Sequence, residues 1–219
     1  MQFTYHKCAG DSTILLDGDI YNHLFRSRRT RKLDSLALCN LKDTNAYIYV
    51  IIELGKKSAT LQLKVTQKRE IKKPRGHLIW AMIEPRVIEK TLPILNELNL
   101  ECITFFYADF SQKHFKFDTK RLDRILENSC EQCGRLTRLK IELCNNLIEV
   151  LQKYPKIAVM DFEAGPLESH LEIPFLIGAE GGFSANERTL LRTQQQFSVP
   201  SSHILRSETA AIYATIKSS

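Results

Sequence analysis

Long hydrophobic runs are missing from this chain of 219 residues, although 43% of its residues are hydrophobic. No apolar stretch approaches the roughly 20 residues that a helix needs to cross a bilayer, and the polar N-terminus lacks the apolar core of a signal peptide. We therefore expect a cytoplasmic protein that does not associate with membranes. In that compartment the six cysteines should remain thiols.

Metal-binding patterns are scarce as well. Only Cys130 and Cys133 have the spacing of a metal-ligating pair, and no second pair or nearby histidine cluster accompanies them. Because two positions on one helix account for this spacing, we expect no metal site.

The common phosphate-binding fingerprints are also absent. No Gly-x-Gly-x-x-Gly opens a first βαβ unit, and no Gly-Lys-Ser/Thr is present to hold a triphosphate with magnesium. This argues against an ordinary doubly wound nucleotide-binding enzyme, which stays open as an alternative.

A glycine-rich loop near the C-terminus is the most informative feature that the chain does have. The apolar run 173–177 predicts a buried strand, and the loop after it contains Gly178, Gly181 and Gly182. Because glycine has no Cβ, such a loop can turn sharply and bring bare backbone N–H groups against a ligand.

A helix is predicted directly after this loop. Ser184 and Glu187 have the spacing of a capping box, so the helix should begin at Ser184 and run to about Gln196. Strand, glycine loop and helix N-terminus together favour a polar pocket.

Glu180 narrows the choice of ligand. Inside the glycine run its carboxylate would repel a phosphate, whereas a ligand with a positive centre and a neutral nucleoside would tolerate it. S-adenosylmethionine fits that description. A tight strand-to-helix turn that binds no ligand is the alternative reading.

Two segments carry a resemblance to a known family. Residues 178–184 (GAEGGFS) and 204–210 (ILRSETA) together resemble the paired signature of the RsmE family, the bacterial ribosomal small-subunit RNA uridine N3-methyltransferases. Three shorter matches precede them: residues 23–24 (HL), 97–100 (ELNL) and 131–135 (EQCGR). Ordered matches therefore cover nearly the whole chain.

The resemblance implies an architecture. It implies an α/β protein with a SPOUT-type methyltransferase domain, in which helices cover a parallel sheet and the C-terminal segment forms a deep trefoil knot around the cofactor. A small PUA-like β-barrel precedes that domain. Because SPOUT pockets usually lie near a subunit interface, the resemblance also implies a homodimer.

The pattern along the chain changes near residues 72–76. Short strand-like runs separated by turn signals come before this point, and strands alternate with helices after it, which is typical of a parallel sheet with helical cover. Together with the resemblance, this predicts a PUA-like, RNA-binding β-barrel in residues 1–73 and the methyltransferase domain in residues 74–219.

The resemblance also indicates the cofactor site. S-adenosylmethionine is expected to contact the two loops chiefly through their backbone groups, at Leu176, Ile177, Gly178, Glu180, Gly181, Gly182, Ser201, Ile204 and Leu205. Asp161 and Phe162, at the end of a preceding predicted strand, are further candidates for the same pocket.

Three polar residues of the second loop are candidates for the chemistry. Methyl transfer to N3 of a uracil requires that the nitrogen lose its proton and that the oxygens carry more charge. Arg206 is expected to stabilise that charge, Glu208 to orient the uracil or accept the proton, and Thr209 to hydrogen-bond the base. Helix capping is the alternative role of Glu208 and Thr209.

Positive charge favours a polyanionic partner, since the net charge is +6. Cationic side chains cluster in residues 23–32 (HLFRSRRTRK), and the resemblance implies that the partner is the 16S rRNA of the small ribosomal subunit. The expected RNA contacts are His23, Arg26, Arg28, Arg29, Arg31 and Arg135. A solvated charged turn is the alternative reading of this segment.

The chain departs from the family pattern at several positions. Ala179 replaces a usual proline, Ser201 stands where the family has glycine, and residues 108–110 (ADF) replace a Ser/Glu-Arg-Ser segment. These departures leave two alternatives open: a SPOUT methyltransferase that acts on another rRNA or tRNA position, and a non-catalytic RNA-binding relative.

Overall fold

The computed structural model describes residues 3–27, 35–113, 115–116, 118–162, 164–166, 172–200 and 203–218. The chain divides into two compact units. The first contains Met1–Lys72 and Glu127–Arg138, and the second contains Lys73–Leu126 and Leu139–Ser219. The domain boundary expected between residues 73 and 74 stays a prediction.

A five-stranded sheet forms the centre of the first unit. Its strands are β1 (Thr4–Tyr5), β2 (Thr13–Leu16), β3 (Ser35–Cys39), β4 (Asn45–Leu54) and β5 (Ala59–Lys68). They lie in the order β1-β3-β4-β5-β2; β1 and β3 are parallel, and the other neighbouring pairs are antiparallel. Helix α1 (Gly18–Tyr21) and a π-helical segment (Asn22–Ser27) follow β2.

Alternating side chains give this unit its own hydrophobic core. In β2, Ile14 and Leu16 are buried whereas Leu15 is exposed, as the two-residue period of a strand requires. Tyr49 of β4 and Leu61 of β5 belong to the same apolar cluster.

The second unit is built on a six-stranded sheet in which every neighbouring pair is parallel. Its strands are β6 (Arg75–Ala81), β7 (Leu100–Phe106), β8 (Lys140–Cys144), β9 (Ala158–Met160), β10 (Phe175–Ile177) and β11 (Gln195–Phe197). Helices α2 (Pro85–Glu97), α4 (Leu147–Lys153), α5 (Ala185–Leu191) and α6 (Ser207–Lys217) belong to this unit. Helix α3 (Thr119–Cys133) belongs to it as far as Leu126 and to the first unit from Glu127.

The central strands of this sheet contain continuous runs of apolar residues. Residues 78–81 of β6 are at most 1% exposed, which is typical of a parallel strand with both faces covered. Helix α2 begins at Pro85, because proline is favoured in the first turn of a helix. The sheet and its helices confirm the expected α/β class, and the knot stays a prediction.

The strand order creates a crevice in the second unit. The order is β11-β9-β10-β6-β7-β8, so the chain runs outward from β6 to β8 and then builds β9, β10 and β11 on the other side. In open parallel sheets, ligands bind beyond the carboxyl ends of the strands where the order reverses. The carboxyl ends of β9, β10 and β11 are neighbours at this edge.

Helix α5 corrects one expectation. It begins after Ser184 as predicted, but it ends at Leu191 instead of continuing to about Gln196. The side-chain amide of Gln196 donates a hydrogen bond to the Leu191 carbonyl at 2.9 Å, which satisfies an acceptor at the helix end. Residues 195–197 then form β11, which pairs with β9.

Within the described ranges, no helix combines the length and apolar character that a membrane span requires.

Candidate active site

A cavity of about 590 Å³ lies in the second unit, at the carboxyl ends of β9, β10 and β11. This volume is in the range of small-molecule sites, which is roughly 300–1,000 Å³. Four stretches of chain supply most of its lining: residues 160–162 at the end of β9, residues 177–180 and 182–183 at the end of β10, residues 198–199 after β11, and residues 203–208 before and within α6.

The glycine loop makes a tight turn at the end of β10. The N–H of Gly182 donates to the carbonyl of Ala179 at 2.9 Å, and Gly182 has a φ of 70°, which side chains disfavour. A Cβ on Gly178 would lie 3.2 Å from the backbone of Gly182. Glycine at both positions therefore allows the turn to close.

A capping box holds the start of α5. The N–H of Ser184 donates to Glu187 Oε2 at 2.9 Å, and the N–H of Glu187 donates to Ser184 Oγ at 3.2 Å. Asp109 joins this pair from the loop after β7: its N–H donates to Glu187 Oε1 at 3.0 Å, and its Oδ2 accepts from Ser184 Oγ at 2.5 Å. The predicted capping box is confirmed.

The loop after β7 also contacts the glycine loop through Phe110. A Cβ on Gly181 would lie 3.1 Å from the Phe110 ring, so the aromatic ring packs against bare backbone. Ser111 fixes the base of this loop by donating its hydroxyl to the Met82 carbonyl at 2.7 Å. Residues 108–110, where the chain departs from the family pattern, therefore support the glycine loop.

Ser207 connects the two predicted loops. Its hydroxyl donates to the Gly178 carbonyl at 2.8 Å and accepts a hydrogen bond from Trp80 Nε1 at 2.8 Å. All three groups are buried. The start of α6 is thus fixed directly to the first residue of the glycine loop.

Charged residues of both signs line the cavity. They are the acidic residues Asp161, Glu180 and Glu208 and the basic residues Arg188 and Arg206, of which Asp161 and Arg188 form an ion pair. Because one more acidic than basic residue is present, a sulfonium or ammonium group is tolerated.

The structure brings most of the predicted site residues together. The cavity is lined by Ile177, Gly178, Glu180, Gly182, Ile204, Leu205, Arg206 and Glu208, and by the further candidates Asp161 and Phe162. Leu176, Gly181 and Thr209 are not among its lining residues: Leu176 is fully buried in the core, Gly181 faces Phe110, and Thr209 is exposed. Ser201 lies outside the described residues.

The predicted RNA contacts belong to the first unit. His23 and Arg26 are exposed on the π-helical segment, and Arg135 is partly buried after the end of α3. Arg28, Arg29 and Arg31 lie outside the described residues. The role of all six residues stays a prediction.

Sequence reasoning missed several lining residues: Val87, Met160, Phe183, Arg188, Ser198, Val199, His203 and Ser207. Ser198 and Val199 follow β11, whose first two residues fall in the predicted helix, so no pattern pointed to them. The capping box gave a usable signal for Arg188, because it placed the first turn of α5 beside the glycine loop.

Among the described residues, no group of three or more His, Cys, Asp and Glu side chains is arranged to hold a metal ion. The thiol of Cys130 instead donates to the Thr137 carbonyl at 3.8 Å, and Cys133 is exposed.

Two protein families match this chain in sequence. The RNA methyltransferase domain family matches residues 70–218, and the RNA methyltransferase PUA domain family matches residues 16–64. Ribosomal RNA small subunit methyltransferase E of Helicobacter pylori strain J99 is 42% identical over 97% of both chains. The chain belongs to this methyltransferase family.

Further similarities agree with that membership. The methyltransferase E of Helicobacter pylori strain 26695 is 40% identical over 97% of both chains. A Neisseria gonorrhoeae methyltransferase E, solved with S-adenosylmethionine bound, has a TM-score of 0.81 and 22% identity; the match covers 98% of this chain and 95% of that one. The N-terminal unit is therefore PUA-like, and the fold is that of RNA methyltransferases.

Proposed function

We propose that this protein transfers the methyl group of S-adenosylmethionine to N3 of a specific uridine in the 16S rRNA of the small ribosomal subunit. The observation that carries the proposal is the cavity between the glycine loop and residues 203–208. It occurs in a chain that is 42% identical to a small-subunit rRNA methyltransferase over almost its full length.

The residues of the cavity fit S-adenosylmethionine. Gly178 and Gly182 of the lining carry no side chains, so a nucleoside can approach the backbone of the loop closely. Val87, Phe183 and Leu205 provide an apolar wall for an adenine ring. The excess of carboxylates suits a ligand with a sulfonium centre.

S-adenosylmethionine, when bound, supplies a methyl group activated by its sulfonium. The chain then has to align the uracil, support the charge on its oxygens and remove the N3 proton. Arg206 and Glu208 line the cavity and are suited to these tasks: the guanidinium donates hydrogen bonds to a uracil oxygen, and the carboxylate orients the base or accepts the proton. Thr209, outside the lining, is proposed to act only on the edge of the base.

Alignment is expected to supply much of the acceleration, because it turns a reaction between two molecules into one within a complex. The bonds from Ser207 to Gly178 and from Asp109 to the capping box hold both loops before the RNA arrives. These contacts favour a preformed site.

The residues of the first unit that we propose to contact the RNA are His23, Arg26, Arg28, Arg29, Arg31 and Arg135.

We also propose that the active form is a cytoplasmic homodimer, as the family resemblance implies. A molar mass twice that of the single chain in light scattering is expected, and a monomer that is fully active would contradict it.

The test is methyl transfer to purified small ribosomal subunits that lack uridine N3 methylation. Labelled S-adenosylmethionine is the donor, and mass spectrometry identifies the product nucleoside. The expected product is 3-methyluridine, with no label on subunits that are already modified. If the protein binds the cofactor but label appears only on another RNA, the proposed substrate is wrong. If the protein does not bind the cofactor, the result favours a non-catalytic relative.

A further inference from the structure

Asp161 occupies a distinctive position in the sheet. It is the first residue after β9 and lines the cavity. Because β9 pairs with β10, the strand end that carries Asp161 is next to the strand end that carries Gly178. In dinucleotide-binding folds, a carboxylate beyond the strand next to a glycine loop accepts hydrogen bonds from ribose hydroxyls.

The carboxylate of Asp161 uses only one of its two oxygens. Oδ2 accepts a hydrogen bond from Arg188 Nη1, whereas Oδ1 is buried and has no hydrogen-bond donor among the described residues. A buried carboxylate oxygen without a donor is unfavourable, and native proteins rarely leave one unsatisfied. A ligand that brings a hydroxyl donor would remove this deficit.

Arg188 restrains this carboxylate without blocking the cavity. It lies in α5, one residue after Glu187 of the capping box, and it lines the same cavity. The torsion about the Cβ–Cγ bond of aspartate is soft, so the carboxylate can rotate to offer an oxygen to a ligand in the cavity that Asp161 lines. The five N–H donors of the guanidinium keep the ion pair during that rotation.

The ribose is the part of S-adenosylmethionine that best matches this group. It offers two adjacent hydroxyl donors, whereas adenine offers one amino group. Of the other two acidic residues of the lining, Glu208 is already assigned to the uracil, and Glu180 of the glycine loop remains for the cationic part of the cofactor.

We propose that Asp161 binds the ribose hydroxyls of the cofactor and that Arg188 is a positioning residue for its carboxylate. This inference rests on the proposed function and goes beyond it by assigning one side chain to one part of the ligand.

The experiment combines two proteins with two ligands in calorimetric titrations. The proteins are the wild type and Asp161→Ala, and the ligands are S-adenosylhomocysteine and its 2′,3′-dideoxyribose analogue. A hydrogen bond to a charged group corresponds to roughly a 10- to 100-fold change in affinity. Asp161→Ala should weaken binding of S-adenosylhomocysteine by about that factor and should leave binding of the analogue unchanged.

The controls separate ribose recognition from structural damage. Asp161→Asn keeps the size of the side chain and should give the same dependence on the ribose hydroxyls with a smaller loss. Arg188→Gln keeps the carboxylate but removes its ion pair, so the difference between the two ligands should become smaller without disappearing; an unchanged difference would contradict the positioning role of Arg188. An equal loss for both ligands in Asp161→Ala and Asp161→Asn, or no loss for either, overturns the assignment.

The two proposals fail in different ways. A wild-type protein that does not bind S-adenosylhomocysteine contradicts the proposed function itself. A wild-type protein that binds both ligands equally well keeps that function and overturns the role of Asp161.

Discussion

Arg206 has the charge-stabilising role in the proposed reaction. It is exposed, immediately precedes α6 and lines the cavity. Arg206→Ala is expected to lower kcat by roughly 100-fold, a typical cost of losing a donor to a developing oxyanion. Single-turnover methyl transfer measures this loss, and calorimetry should show little change in cofactor affinity, because the proposal assigns Arg206 to the uracil and not to the cofactor.

Arg206→Lys is the matched control. It keeps the charge but loses the planar fork of donors, so it should recover only part of the rate. Full activity in Arg206→Ala would remove this residue from the mechanism.

The burial of His77 makes the free energy of unfolding depend on pH. Its Nε2 lies 2.8 Å from Thr104 Oγ1, and its ring meets Tyr154 edge-on. Burial lowers the pKa of His77 from 6.5 to about 4. The unfolded state therefore binds a proton more readily, and the free energy of unfolding should fall as pH drops from about 6.5 towards about 4.

Thermal unfolding of the wild type and His77→Asn between about pH 7 and about pH 5 tests this dependence, and the variant should show the flatter profile. Glu142 affects the free energy of unfolding only at lower pH. Hydrogen bonds from Lys140, Lys153 and Tyr154 hold its pKa well below its usual range, so its contribution is lost only below about pH 4.5. Identical slopes in both proteins above that pH would contradict the role of His77.

The glycine loop depends on the absence of side chains at defined positions. In Gly178→Ala the new methyl group would meet the Gly182 backbone at 3.2 Å, which opens the turn. Affinity for S-adenosylhomocysteine is expected to fall at least about 10-fold, as overpacking of this kind shifts the backbone. Calorimetry measures the affinity.

Gly165→Ala is the control for this change, because nothing lies within 4 Å of a Cβ at that position. It should bind the ligand like the wild type. Undiminished binding by Gly178→Ala would show that the turn tolerates a side chain.

The C-terminal elements show what local patterns can and cannot predict. Ser184 and Glu187 predicted the start of α5, because the hydrogen bonds of a capping box join residues that are close in sequence. Residues 195–197 gave no comparable signal for β11, since their pairing partner in β9 is almost 40 residues away along the chain. Ser198 and Val199, which follow β11, were missed for the same reason.

Positive charge over the protein as a whole predicts salt-dependent RNA binding. The net charge is +6, and each phosphate that a cation neutralises releases counterions. Changing Arg28, Arg29 and Arg31 together to glutamine should weaken binding and flatten the plot of log affinity against log salt by roughly two to three in slope. Filter binding to small-subunit RNA at several salt concentrations measures both effects.

An equal loss of charge elsewhere provides the comparison. Lys56, Lys57 and Lys64 are exposed in the first unit, and their triple change to glutamine should affect the slope less. Equal slopes for both triple variants would contradict a role of the arginine segment in RNA binding and would favour its interpretation as a solvated charged turn.

Long-range arrangement was the part that the sequence did not reveal. The alternation of strand and helix patterns predicted the α/β class, and the resemblance to a family implied most of the predicted residues that line the cavity. The strand order β11-β9-β10-β6-β7-β8 arises from contacts between distant segments. Likewise, Cys130 and Leu136 pack with Phe3 and Cys39, so the segment Glu127–Arg138 groups with the N-terminal unit.

Trp80 contacts Ser207, a lining residue of the cavity, and therefore offers an optical reporter beside the site. It is the only tryptophan of the chain and is fully buried. Its indole N–H donates to Ser207, which in turn donates to Gly178, so a single chromophore is connected to both loops. A ligand that disturbs either of these bonds is expected to alter the surroundings of the indole, so the intrinsic fluorescence of the unlabelled protein should report binding in the cavity.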